Sequence, residues 1–273
     1  MNHRTMLLEI LISTINQGIE HIDQMLMPAR PDVRYLIVWQ HTDGKPYRIS
    51  SPIATRNDLR LLTCRRAGLS HSRNLALRHA QGTILLFADD DCRYTSQYVG
   101  NLLDAFAEHP RADIICLKAS TESGEPLKAY PANPFHLSHR PKGYYPSSVE
   151  IACRRTDRLP AFDERFGLGS KHLACGEEEV FLYDALKNGL AVVFYPATVV
   201  ETDSYTTGSR FSEEAAVRRA KGAVLCKLHG LPGGTARCVY EAFRIKQASW
   251  TTRLSYLRDM LVGIKHLYDG RTR

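Results

Sequence analysis

Seven apolar runs of strand length, at residues 7–12, 35–39, 59–63, 83–88, 113–117, 149–153 and 190–195, alternate along the chain with helical patterns. Several are apolar at consecutive positions, so both faces of such a strand must be covered. Helical segments between the runs supply the cover. One spans 70–80, opens on Ser70 and ends before Gly82; one spans 95–108 and stops at Pro110; a third spans 176–188 and stops at Gly189. Strand alternating with helix predicts an α/β domain, a doubly wound and mostly parallel sheet flanked by helices. From about residue 211 the chain turns basic and helical, interrupted at Pro232, Gly233 and Gly234. The expected organisation is a domain over 1–210 and a C-terminal helical extension over 211–273. The stretch 121–145, rich in Pro, Gly, His and Tyr, is long for a connection and reads as a functional lid or a disordered crossover.

Charge and cysteine usage narrow the function classes. A formal net charge of +7 implies an anionic partner or merely added solubility. The basic residues are dispersed in short pairs such as Arg65-Arg66, Arg154-Arg155 and Arg218-Arg219, so no nucleic acid is expected as partner. Seven cysteines, an odd number without a C-x-x-C pair, argue against a disulfide framework or a zinc site and for a reducing, cytoplasmic compartment. The early apolar run is broken by Glu9 and followed by no small-residue cleavage site, which favours a first core strand over a signal peptide. No window approaches the roughly 18 apolar residues of a membrane span. Peripheral contact with a membrane's inner face stays open: Arg253, Arg258, Lys265, Arg271 and Arg273 accompany Leu257, Leu261 and Ile264, as in a packing helix or one lying on anionic lipid.

Three groups could carry chemistry. The run 83–88 delivers Asp89, Asp90 and Asp91 at its C-terminal end, where open α/β sheets bind ligands. Extended geometry would set Asp89 and Asp91 on one side and Asp90 on the other. Converging carboxylates repel unless a cation sits between them, and hard oxygen ligands suit Mn²⁺ or Mg²⁺. An acidic turn capping the following helix is the alternative. The second group, Glu177, Glu178 and Glu179, follows Gly176 in a first helical turn, which the helix dipole alone would favour. On a helical wheel Phe181, Leu182, Ala185 and Leu186 form the apolar face and Glu178 projects onto its middle, a placement suited to a general base. The third, from Gly68 to Asn74, leads into a helix with an Arg and an Asn, an anion site matched to a diphosphate.

Taken in order, these residues resemble a family 2 glycosyltransferase with the GT-A fold. The resemblance runs over about 7–208. It includes Ser13, Thr14, Ile15 and Asn16, then a G-x-S-x-x-R-N segment from Gly68, and the strand closing on Asp89, Asp90 and Asp91. It continues with Phe162, Asp163, Glu164, Arg165, Phe166 and Gly167, then Gly176 to Glu178, and last Tyr195, Pro196 and Ala197. It implies an inverting, metal-dependent transfer from a nucleotide-sugar donor, a UDP-sugar foremost, to a saccharide or lipid-linked saccharide acceptor, as in bacterial surface-polysaccharide synthesis. It implies donor-binding roles for Thr14, Asn16, Gln40, Arg73, Asn74, Asp89 and Asp90. Asp91, with Asp89, would hold the metal, and Glu178 would deprotonate the acceptor. The 121–145 stretch, with His136, His139, Tyr144 and Tyr145, falls where such enzymes bind acceptors.

Three departures accompany the resemblance. Glu178 stands where an Asp is usual, so the base reaches one methylene further. The acid that usually follows the second strand is replaced by Trp39, Gln40 and His41, with Asp43 slightly beyond and Gln40 able to meet a pyrimidine edge. A metal-binding His often follows the last strand; Glu201 is the substitute ligand here. Two rivals remain: a nucleotidyltransferase, disfavoured because no basic Gly-rich loop follows the first run, and a catalytically inactive scaffold of the same fold.

Overall fold

In a computed structural model, which describes residues 6–203, 207–245 and 248–269, the apolar runs become the strands of one eight-stranded sheet. They are β1 (Leu8–Ile15), β2 (Val33–Gln40), β3 (Leu59–Cys64), β4 (Ile84–Asp89), β5 (Ile114–Ser120), β6 (Phe135–His136), β7 (Ile151–Arg154) and β8 (Val192–Glu201). Their order is β3-β2-β1-β4-β7-β5-β8-β6. The pairs β1–β2, β1–β4, β2–β3 and β5–β8 are parallel, so the sheet is mostly parallel as the patterning predicts. β7 enters antiparallel between β4 and β5, and β6 adds an antiparallel edge on β8. The helices are α1 (Ser51–Thr55), α2 (Leu69–His79), α3 (Ser96–Glu108), α4 (Glu177–Lys187), α5 (Ala215–Phe243) and α6 (Trp250–Asp269).

The chain divides into two compact units. The first holds 6–67, 71–161 and 184–203; the second holds 68–70, 162–183 and the described residues from 207 onward. The helical unit therefore takes in 162–183 as well as the tail, because Phe166, Leu173 and Val180 share a core with Ala220, Val224, Met260 and Leu267.

In the first unit β1 is buried along all but its last residue, the consequence of an apolar run covered on both faces. α3 turns Val99, Leu102, Ala105 and Phe106 inward at helical spacing. Its start is fixed by Thr95, whose side chain accepts from the Tyr98 amide at 3.1 Å, a cap worth about 1 kcal/mol. The one acid inside β1, Glu9, is completely buried. It accepts from the amides of Gln81 (2.5 Å) and Gly82 (2.7 Å) and pairs with Arg60 at 2.7 Å. A Cβ at Gly82 would sit 2.6 Å from the Glu9 Cβ, so only glycine admits this carboxylate to the turn that feeds β4.

The 121–145 stretch is ordered, unlike the disordered crossover that was one of the two expectations. It contributes β6, and Phe135 and Tyr144 pack around Phe194 of β8 with ring centroids 5.0–5.1 Å from it. Buried Glu150, just before β7, ties the stretch down through Lys128 at 2.9 Å and the Tyr130 hydroxyl at 2.5 Å.

In the second unit α5 and α6 cross at glycines. A Cβ at Gly222 would fall 2.1 Å from the Met260 carbonyl oxygen, and one at Gly263 would fall 1.9 Å from that of Arg219. α5 is broken at Gly230 (φ 70°, ψ 171°), just ahead of the Pro232 to Gly234 break expected from sequence. Among the described residues no helix is long and apolar enough to cross a membrane.

Candidate functional site

β1 and β4 lie side by side in parallel with Ser13 opposite Asp89, so the residues that follow also meet. Thr14 Oγ1 donates to Asp90 Oδ2 at 2.7 Å. Gly18 closes over this pair: a Cβ there would lie 2.2 Å from Asp90 Oδ2 and 2.3 Å from Thr14 Oγ1. Strand geometry ends at Asp89, and Asp90 and Asp91 lie in a turn closed by the Cys92 amide on the Asp89 carbonyl at 3.3 Å. The side-to-side alternation expected for the three acids therefore stops at Asp89. Asp90 reaches to Thr14, while Asp91 accepts from Thr202 Oγ1 at 3.2 Å.

Burial pushes the Asp90 carboxyl up, and the Asp89 charge adds to this against the Thr14 hydrogen bond. Burial also raises Asp91, followed by repulsion from Asp89 and then Asp203, with the Thr202 bond opposing. Each of these carboxyls carries its charge at a cost that protonation or a nearby cation would relieve.

Arg73 and Asn74 on α2 were expected to line the donor pocket. The structure buries both. The Arg73 guanidinium donates from Nη2 to Asp89 Oδ1 and to Ser148 Oγ, each at 2.7 Å. Its side chain is 1% exposed while that of Asp89 is 36% exposed, so Arg73 orients the carboxylate and Asp89 faces any ligand. Ser72 Oγ donates to Ser13 Oγ at 2.8 Å, fastening α2 to the end of β1.

Glu201 was the expected third metal ligand. Its backbone exchanges hydrogen bonds with Arg93 at 2.8 and 3.0 Å, and its carboxylate lies 3.4 Å from the Arg93 guanidinium, which also pairs with Glu122. That carboxylate answers a cation already present. Among the described residues no three acids, histidines or cysteines are grouped to hold a metal. Asp91 and Asp89 are the carboxylates that would hold a divalent ion, which would need phosphate oxygens to complete its shell. Asp203, whose charge reaches Asp91, was not singled out from sequence.

At the end of β2 the structure again departs from expectation. Gln40 is buried, so it does not offer its amide to a base edge. Asn16 has a left-handed backbone (φ 48°), which Asn tolerates, and its Oδ1 accepts from the Thr42 amide at 2.9 Å and the Thr42 hydroxyl at 3.2 Å. Trp39 Nε1 donates to the Asn16 carbonyl at 2.9 Å. His41 stacks on Trp39 with centroids 4.4 Å apart, and Tyr47 meets both rings edge-on. The Tyr47 hydroxyl donates to Asp43 at 2.5 Å and holds that carboxyl below its ordinary range. Asn16 is thus a brace between strand exits, and His41 beside it is partly exposed.

In the second unit Gly176 (φ 85°) opens α4, and a Cβ on it would collide with Val224 Cγ2 at 2.6 Å. The buried face of α4 is Glu177, Val180, Phe181, Leu182 and Ala185, with Glu178 and Glu179 half-buried. Fully buried Val180 swings the apolar arc back toward Glu177, which displaces Glu178 from the centre the helical wheel gave it. The Glu178 and Glu177 charges reach Cys175, whose thiol is pushed up first by burial and then by them. Asp163 holds Arg165 through two contacts of 2.8 and 2.5 Å, and Arg165 Nη1 donates to the Leu267 carbonyl at 2.5 Å. Tyr145 is exposed, whereas Tyr144 is buried on Phe194 and cannot stack on a sugar.

The sequence matches the profile described as glycosyl transferase family 2 over residues 7–166. A comparison with curated proteins returns no match. Among solved structures, S. aureus TarS 1–349 superposes with a TM-score of 0.60 at 14% identity, covering 95% of this chain and 81% of that one. Full-length S. aureus TarS gives 0.61 at 14% identity, covering 97% of this chain and 50% of that one. TarS 1–349 crystallised with UDP-GlcNAc gives 0.55 at 16% identity, covering 95% and 82%. The α/β architecture is that of the GT-A fold.

Proposed function

The chain belongs to glycosyl transferase family 2, and from that premise we propose that it moves a sugar, with inversion, from a nucleoside-diphosphate sugar to an acceptor hydroxyl. The observation that carries this reading is the acidic turn at the end of β4. There Asp90 and Asp91 are held where burial and neighbouring charge disfavour their ionised forms. A diphosphate bound with a divalent cation relieves that penalty. The crystallisation of TarS with UDP and with UDP-GlcNAc favours a uridine nucleotide.

Each part of the donor meets a group suited to it. His41, backed by Trp39, offers an aromatic face to the base, and Asp89, aimed by Arg73, and Asp90, aimed by Thr14, offer acceptors to hydroxyls. Asp91 with Asp89 would hold Mn²⁺ or Mg²⁺, which when bound supplies positive charge against the leaving diphosphate. Glu178 takes the proton of the acceptor hydroxyl as its oxygen bonds to the anomeric carbon and the bond to the diphosphate breaks. The extra methylene of Glu lets the half-buried carboxylate reach outward. Tyr145 offers a ring face to a saccharide or lipid-linked saccharide acceptor of surface-polysaccharide type, and a cytoplasmic location suits such donors.

The test is a thermal-shift panel of nucleoside diphosphates with and without Mn²⁺. UDP should raise the melting temperature only when Mn²⁺ is present, by ligand linkage. Absence of any diphosphate shift, together with pyrophosphate release from a nucleoside triphosphate, would instead establish a nucleotidyltransferase.

A further inference from the structure

α6 has two apolar faces, and only one is used. Met260, Gly263, Ile264 and Leu267 are buried in the helical core. The other face is an open groove lined by Leu254, Leu257, Arg258, Leu261, Val262 and Lys265. Leu254 is 54% exposed, Leu261 41%, and Trp250 at the head of the helix 69%, which is more than the scattered surface leucine of an ordinary monomer. This stripe differs from the one drawn from sequence, since Ile264 turns into the core.

We propose that this face of α6 docks on an anionic lipid surface, with the leucines and Trp250 entering the headgroup layer and Arg258 and Lys265 reaching lipid phosphates. Charge selects the occupant. α5 and α6 together carry eight Lys and Arg against three Asp and Glu, and α6's Asp259 is drawn away to Arg218 at 2.7 Å. The groove therefore presents cations with no acid among its lining residues. A second copy meeting the same face about a twofold axis would bring Arg258 and Lys265 toward the same basic pair of its partner, a like-charge contact that disfavours self-association. Among the described residues the groove is lined by one helix alone, a poor clasp for a peptide, whereas a helix of 20 residues can lie along a plane. The long basic side chains can bury their stems along the leucines and lift their charged ends to the phosphates.

The proposal is independent of sugar transfer, and so is its test: flotation of the full chain with vesicles of phosphatidylcholine alone or mixed with phosphatidylglycerol. Binding should require phosphatidylglycerol and weaken in high salt. The Arg258→Glu, Lys265→Glu pair should lower partitioning at least about 30-fold, from roughly fivefold per cation. The Leu254→Glu, Leu261→Glu pair should abolish flotation while circular dichroism and melting stay unchanged. Equal binding to phosphatidylcholine, retained binding by either pair, or no binding overturns the proposal. So does a concentration-dependent dimer in light scattering that Leu261→Glu disperses.

Discussion

Replacing Gly18 with alanine drives a methyl group into the contact between Thr14 and Asp90. The added carbon would sit 2.2 Å from Asp90 Oδ2 and 2.3 Å from Thr14 Oγ1, about 1 Å inside ordinary contact on both sides. The 2.7 Å hydrogen bond between them cannot survive with a methyl wedged against both atoms. Asp90 is a largely buried carboxyl, so losing this donor costs about 1.5–3 kcal/mol, the range for bonds to charged groups. At about 2–4 °C per kcal/mol in a chain of this size, the melting temperature falls by about 3–12 °C. The Thr14 bond also restrains the upward shift of Asp90, so its removal lifts that carboxyl further and weakens UDP binding. Thr14→Ala removes the same bond without adding a methyl. The two changes act on one interaction, and the double variant should cost little more than the worse single. Urea unfolding of the four proteins, with calorimetric UDP titration in Mn²⁺, reads both effects. Additive costs, or Gly18→Ala with unaltered stability and UDP affinity, would refute the reasoning.

Asp91→Asn should remove the Mn²⁺-dependent melting shift with UDP, and its persistence would move the cation away from Asp91. Glu178→Gln should bind UDP normally and lower kcat by at least about 10²-fold, the scale of general-base catalysis; near-normal turnover in a coupled UDP-release assay would dismiss Glu178 as the base. Asp163 gives a pH signature. Burial pushes its carboxyl up, but Arg165 more than offsets this and the folded value is depressed. Its stabilisation is therefore present above the ordinary carboxylate range and lost as pH falls through the depressed value. Asp163→Asn should cost about 1–3 kcal/mol at pH 7, with the gap to the parent closing in acid. A gap that is constant with pH in calorimetric melts would exclude the ion pair as its source.

What the sequence made legible is mostly local. Thr95 capping α3 and glycine stopping α4 act over three or four residues, and the doubly apolar runs announce strands covered on both faces, most of which pair in parallel. What it hid depends on distant partners. Arg73 looked like a ligand-facing cation; its burial is set by Ser148, 75 residues away, and by Asp89 across the strand end. Gln40 ends an apolar strand and is drawn inside with it. The helical wheel favoured Glu178 because it left out Val180, whose burial is fixed by packing on α5 residues such as Val224. Glu201 gave no sign that Arg93 would claim it, since the bridge that joins them spans 108 positions. The 121–145 stretch lacks periodicity because its order comes from single anchors, Lys128 and Tyr130 on Glu150 and Tyr144 on Phe194.

Glu9 acts at a distance from the acidic turn. Its carboxylate grips the amides of Gln81 and Gly82 at the opposite end of β1, four positions and about 13 Å of extended chain before Ser13. That grip fixes where β4 begins against β1, and a slip of one residue would exchange the faces of every β4 side chain. Glu9 is in effect a registration pin for the acidic turn. A lesion there would surface as lost nucleotide affinity with no altered residue near the nucleotide.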